Sequence, residues 1–237
     1  MSGQNTSHAV MAQRVEAPDS FDDFPTPPWA TRALIEHVLL RRVGPAHAEA
    51  MRQMTVLEPA CNRGYMAGTL GEYFRRVIAR DIMDYGYPLM EKVDDFLFPG
   101  PLPRAHWMIT NPPFRLAENF VHRSFDMPGW CGTAVFLRTQ WVEGEGRFRD
   151  LFNVRPPTII APFAERVPLF KGVLRDPDKD YFDEVAGKWK KPSTATSYSW
   201  FIWVKNRRPQ PPIWIPPCRL ALTRAGDYPA TKGEENA

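Results

Sequence analysis

Short apolar segments alternate with stretches of helical periodicity along most of the chain, and that alternation restricts the fold more than any other feature. "TVLEPACNRG", "RVIARD", "HWMIT", "GTAVFLRTQW" and "TIIAPF" each contain a buried-strand pattern. Between them, "YMAGTLGEYF", "LAENFVHRSF" and a polar segment at 143–153 carry helical spacing. A helix ahead of the first strand is predicted from "FPTPPWATRALIEHVLLRR", with Thr26 as its cap and Pro27 in its first position. The last strand is "SYSWFIWVKN", with Tyr198, Trp200, Ile202 and Val204 directed to one face. Strands separated by helices predict an α/β domain: a mostly parallel sheet covered on both sides.

The length, 237 residues, suits one such domain with a modest appendage. Residues 1–20 read as a disordered leader and 21–205 as the domain. The proline-rich "RRPQPPIWIPP" belongs to a C-terminal tail, 206–237. The segment 171–196 is charged, broken by Pro and Gly, and long for a connection, so it is predicted to be a functional or disordered loop insertion. A net charge of +3 permits a nucleic-acid partner without requiring one. Cys61, Cys131 and Cys218 lie far apart, which argues against a disulfide framework and against a zinc site. No apolar leader and no membrane-length run stand in the sequence, so a cytoplasmic, membrane-free, metal-free protein is expected. Oligomeric state is not legible.

Two strand ends carry the first chemical signal. The first strand runs into Glu58, Pro59, Ala60, Cys61 and then Gly64, followed by a helix. Doubly wound sheets build a cofactor crevice at such a turn, because glycine lets backbone N–H groups approach a ligand; an ordinary strand–helix turn is the alternative. The second strand ends at Asp81, where an acid is placed to bond both hydroxyls of a ribose; a solvated acid is the alternative. The phosphate-binding glycine pattern is absent, since Asn62 stands where a glycine should, so a nucleoside cofactor without phosphates fits better than a dinucleotide. Asp95 and Phe96 supply a carboxylate for an adenine amine and a ring for its face, or else a polar turn beside a core phenylalanine.

The third strand ends in Asn111-Pro112-Pro113-Phe114. An aromatic exocyclic amine is a poor nucleophile because its lone pair is delocalised into the ring. Two acceptors on its two N–H bonds, Asn111 Oδ1 and the Pro112 carbonyl, favour a tetrahedral nitrogen and release that pair. The prolines set the carbonyl direction in advance. Phe114 offers a face for a planar base, which must first leave its helix. A plain proline-terminated strand would require neither the leading Asn nor the closing aromatic.

On these residues the chain resembles the class I S-adenosylmethionine-dependent amino-methyltransferases, in particular the DNA adenine-N6 branch with the NPP[YF] tetrapeptide. "TPPWATRAL" resembles its N-terminal motif, "VLEPACNRG" its cofactor turn, Asp81 its ribose acid, "DF" at 95–96 its adenine pocket and "NPPF" its catalytic loop. "PFAERVPLFKG…STATSYSWFIW" is similar to small phage and prophage enzymes. The resemblance covers roughly residues 22–205. It implies a Rossmann-like, seven-stranded sheet with one antiparallel strand, from "SYSWFIWVK". S-adenosylmethionine is the implied cofactor, held at its methionine end by Thr26 and the 58–64 turn. DNA is the implied partner, with adenine N6 as the target. Arg166, Lys188 and Lys190 are candidates for phosphate contacts. RNA, another planar amine or amide, and an inactive cofactor-binding subunit are the alternatives. Phe114 stands where the family more often has Tyr, and Asn62-Arg63 departs from its small-residue turn.

Overall fold

The computed structural model describes residues 22–43 and 46–229, so the expected leader at 1–20 lies outside the described residues. The chain opens with α1 (Pro28–Ala33), which continues through a π-helical turn (Leu34–Leu39) into α2 (Leu40–Val43). After α3 (Ala46–Met51) come β1 (Thr55–Glu58), α4 (Tyr65–Leu70), β2 (Arg76–Asp81), the two-residue β3 (Lys92–Val93) and β4 (Trp107–Thr110). The second half supplies α5 (Ala117–Ser124), β5 (Gly132–Arg138), α6 (Glu145–Arg147), β6 (Ile159–Pro162), the pair β7 (Tyr181–Asp183) and β8 (Lys188–Lys190), β9 (Tyr198–Val204) and α7 (Arg219–Leu222).

Seven strands form one sheet in the order β3-β2-β1-β4-β5-β9-β6. All neighbours from β3 to β5 are parallel, and β9 runs antiparallel to both β5 and β6. This is the expected mostly parallel α/β sheet with one antiparallel strand. β3 has no apolar signal, since both of its residues are exposed. It pairs because Glu91 and Asp94 donate backbone N–H groups to Ala79 and Asp81.

β9 shows why both faces are filled. Tyr198, Trp200 and Ile202 join the core on one side, with Trp29, Leu34 and Phe136, whereas Phe201 and Trp203 join the other, with Phe120, Trp141 and Leu151. The indoles keep partners inside the core: Trp200 Nε1 donates to the Ala30 carbonyl at 3.1 Å and Trp203 Nε1 to that of Arg155 at 2.9 Å.

The expected cap at Thr26 is not what starts the first helix. Pro27 is the cap residue, extended at ψ 140°, the helix begins at Pro28, and no side chain caps it. A residue preceding proline is pushed out of the helical region, so Pro27 cannot join the helix that Pro28 opens. α4 closes at Gly71, and Glu72 and Tyr73 continue with i→i−3 bonds before the buried Phe74 bonds back to the Leu70 carbonyl. The insertion at 171–196 contains an ordered hairpin, β7–β8, separate from the main sheet.

The described part of the tail packs back onto the domain. Gln210, Ile213 and Ile215 donate to the carbonyls of Thr158, Ile160 and Pro162 along β6. Further on, Asp227 takes both Nη atoms of Arg32, at 2.6 and 2.8 Å, while Glu72 takes Nε and Nη2 and the Leu222 carbonyl takes Nη1. Arg32 is 3% exposed and Asp227 8%. Removing one partner from a buried ion pair strands the other without solvent, at a cost of about 3–5 kcal/mol, and Glu72 remains here, so the low end applies. Asp227→Ala is therefore expected to lower the thermal midpoint by about 6–12 °C, which scanning calorimetry reads directly. A shift within the error of the scan would mean that Glu72 alone satisfies Arg32.

Candidate active site

The carboxyl ends of β1, β2 and β4 meet where the chain turns from one half of the sheet to the other, the point at which open α/β sheets bind ligands. A cavity of about 450 Å³ lies there, within the range of small-molecule sites. Thr26, Glu58, Pro59, Ala60, Cys61, Asp81, Asp95 and Phe96 all line it, as do Asn111 and Pro113. Of the predicted cofactor residues, Gly64 alone stands behind the wall, in the left-handed region at φ 80°. A Cβ at Gly64 would fall 2.1 Å from the Tyr87 ring, so both the backbone angle and the space demand glycine.

The non-glycine residues of the turn are accommodated by a specific arrangement. Asn62 adopts φ 51°, a conformation that asparagine tolerates better than most residues. Its N–H donates to Asp81 Oδ2 at 2.8 Å, and its Nδ2 donates to Asp23 Oδ1 at 2.7 Å. Arg63 reaches the same carboxylate through Nη1 and Nη2, at 2.7 and 3.1 Å. Asp23 also accepts the Gly172 N–H at its carbonyl, which ties the root of the insertion to the rim of the cavity.

Electrostatics set the kind of ligand this cavity takes. Asp22, Glu58, Asp81, Asp94 and Asp95 line it, and among the described residues no Lys, Arg or His does. Burial holds the Glu58 carboxyl well above the usual range, reinforced by the charge of Asp81 and opposed by the Ala67 N–H. Burial also raises Asp81, against the pull of the Asn62 and Met83 N–H groups. Burial pushes the Cys61 thiol up, so it is not a nucleophile at neutral pH. Thr26 Oγ1 and Glu58 Oε2 are buried without a hydrogen-bond partner. Buried polar atoms of this kind call for a ligand. Together they suit a cation that also brings hydrogen-bonding groups, and they repel phosphate.

At the mouth of β4 the amide of Asn111 is oriented by a bond no sequence pattern announces: Nδ2 donates to the Phe24 carbonyl at 2.9 Å, which leaves Oδ1 as an acceptor. Asn111 and Pro112 each precede a proline, so both are held extended. Pro112 is buried, and the Pro113 carbonyl accepts the Leu116 N–H. Phe114 is half-buried against both core clusters, its N–H bonded to Asp22 Oδ2 at 2.8 Å.

Asp95 is exposed and accepts the Leu97 N–H in a local turn; Phe96 is buried beside Phe120 at a ring distance of 5.1 Å. Arg166, Lys188 and Lys190 do not line the cavity. Arg166 bonds the Ala195 carbonyl and Ser197 Oγ, Lys190 ion-pairs with Asp183, and Lys188 is exposed. The structure adds Asp22, Phe24, Tyr65 and Tyr85 to the wall. Tyr65, next to Gly64, and Tyr85, four residues past Asp81, were legible only as aromatics close to a suspected turn. Among the described residues no cluster of His, Cys, Asp and Glu suits a metal, and no helix is long and apolar enough to cross a membrane.

No protein-family model and no curated protein matches the chain. Solved structures do. One is a candidate class I S-adenosylmethionine-dependent methyltransferase of Listeria monocytogenes, at 12% identity and TM-score 0.52, covering 81% of this chain. A second is the methyltransferase subunit of a type I restriction-modification system from Streptococcus thermophilus, at 14%, TM-score 0.52 and 80% coverage. A third is a candidate RNA methyltransferase of Pyrococcus horikoshii, at 13%, TM-score 0.51 and 83% coverage. The chain spans 65%, 46% and 96% of their respective lengths. With the strand order and the single antiparallel strand, these likenesses establish that the chain has the Rossmann-like class I methyltransferase fold.

Proposed function

We propose that the protein transfers the methyl group of S-adenosylmethionine to the N6 amine of adenine in DNA. The observation that carries this reading is the cavity lined by five acidic side chains and, among the described residues, no cation, opening onto an asparagine whose amide oxygen is left as an acceptor. A dinucleotide or nucleotide triphosphate would find no positive group there. A sulfonium with an ammonium would meet Glu58, Asp22 and Asp81.

In this reading Thr26 Oγ1 donates to the methionine carboxylate, and Glu58 with the 58–64 turn holds the ammonium end. Asp81 accepts from the ribose hydroxyls, Asp95 accepts from the adenine amine, and Phe96 borders the base. The cofactor so bound supplies an electrophilic methyl carbon. Asn111 Oδ1 and the Pro112 carbonyl take the two N–H bonds of the target amine, and Phe114 stacks on the base. The arrangement works by positioning and by preorganised acceptors, with no metal needed. Arg166, Lys188 and Lys190 lie outside the cavity and serve, if anything, the polymer rather than the reacting base.

Tritium transfer from labelled S-adenosylmethionine to DNA and, in parallel, to RNA tests the reading and its polymer together; label in neither would end it. Asp81→Ala should weaken S-adenosylmethionine binding by roughly 1.5–3 kcal/mol, the cost of losing hydrogen bonds to a charged group. Calorimetry giving the wild-type dissociation constant would remove Asp81 from the site. Asn111→Ala should leave that constant nearly intact and slow methyl transfer by about 10²–10³, since one preorganised transition-state contact is worth ~2.7–4 kcal/mol. Substantial single-turnover activity in this variant would rule out the amide as an activator.

Target recognition is assigned in the same reading to the β7–β8 hairpin. Its root is bonded to Asp23 through Gly172, Tyr181 packs under Arg175 at 3.8 Å, and Trp189 is 68% exposed. Leu174 is buried, so a clean deletion begins after it. Replacing residues 180–190 with a short Gly/Ser linker should spare cofactor affinity and remove methylation of DNA. Bisulfite-independent mapping of the methylated sites would show an unchanged pattern if recognition lies elsewhere.

A further inference from the structure

Several arginines at the edges of this core donate to carboxylates or carbonyls, although Arg80, Arg147 and Arg175 also bury an Nε without a hydrogen-bond partner. Arg32 is ringed by Glu72, Asp227 and the Leu222 carbonyl, and Arg63 sits on Asp23. Arg123 donates to three backbone carbonyls, and Arg147 to two. Arg138 differs. It closes β5, half-buried, beside the segment that carries Asn111, and its guanidinium carbon lies 5.0 Å from the centre of the Phe114 ring. Its Nε is buried with no hydrogen-bond partner, and no carboxylate ion-pairs with it among the described residues.

A guanidinium has five donors, and the one on Arg138 Nε is buried without an acceptor, which is costly. Stacking on an aromatic ring satisfies the face of the group and leaves its N–H donors in their own plane, suited to a bidentate anion. The anion is not the cofactor's carboxylate, because Arg138 stands outside the acidic cavity. A nucleotide whose base lies on Phe114, by contrast, brings its phosphates to the rim of that same ring.

We propose that Arg138 is the phosphate clamp of the target nucleotide, covering one face of Phe114 while the base takes the other. This rests on the nucleic-acid reading given above. The clamp makes Arg138 a substrate-binding and positioning residue: it holds the extruded nucleotide where Asn111 can reach the amine, and takes no part in the transfer itself.

The test compares wild type with Arg138→Met, which keeps an apolar stem on the ring and deletes every N–H donor. Label transfer from S-adenosylmethionine is measured on a duplex DNA and on an RNA oligonucleotide across a salt series, with cofactor affinity from calorimetry. The expected result is a KM for the polynucleotide raised about 10- to 100-fold, as for losing a hydrogen-bonded charge. The salt dependence of DNA binding should flatten by a slope of about 0.9, one phosphate contact, with cofactor affinity unchanged. If Arg138 only packs Phe114, Met preserves that packing, and a wild-type KM and slope overturn the proposal. Should the Met variant fail to fold, Arg138→Gln, polar and uncharged, is read by the same two measures. A wild-type protein that labels neither polymer overturns the reading of the site and this proposal with it.

Discussion

Asp23 joins three parts of the molecule. Its carboxylate accepts from Asn62 and Arg63 on the turn after β1, and its carbonyl accepts from Gly172 at the root of the insertion. Its neighbours complete the strap: Asp22 receives the Phe114 N–H and Phe24 receives the Asn111 amide. Three residues ahead of the first helix, Asp22, Asp23 and Phe24, thus bond to the turn beneath the cavity, the loop beside it and the root of the insertion. Each contact is a charge-assisted or amide hydrogen bond of ordinary strength, but all run through one short segment held rigid by prolines at 25, 27 and 28. Displacing that strap would misplace the cavity wall and the Asn111 amide together.

The same strap explains why an unorthodox turn works. A glycine-rich turn aims bare N–H groups at phosphate; this one instead uses the Asn62 N–H on Asp81 and commits its side chains to Asp23. What faces the cavity is then carboxylate rather than N–H dipole. In the proposed reading, selectivity for a cationic nucleoside follows from where the turn's donors have already been used.

Much of the fold was legible because strand burial is written as apolar runs. Val56, Leu57, Met108 and Ile109 are fully buried where the pattern placed them, and the alternation in β9 separates Tyr198 and Trp200 from Phe201 and Trp203 as read. β3 was not legible, because two exposed residues pair through backbone groups alone. The helix start was misplaced by one residue because the effect of Pro28 on Pro27 outweighs the capping preference of Thr26. In the site, strand-terminal residues were readable from spacing, since strand ends converge by topology. Asp22, Asp23 and Phe24 were not: they act through long-range contacts across 39 to 149 residues, such as Asp23 to Asn62 and Asp23 to Gly172, which no local pattern encodes.

The ribbon of tail along β6 has a consequence for crowding. Ile213 and Ile215 turn their N–H groups inward, and Pro211, Pro212, Pro216 and Pro217 have none to turn anywhere. Between Gln210 and Cys218 the outward side therefore keeps a single backbone donor, that of Trp214. The edge strand of the sheet is followed by a selvedge poor in donors, so another chain meeting this border finds carbonyls but a single N–H to pair with. Copies crowded together at this border then lack the donors that edge-to-edge fusion of their sheets needs.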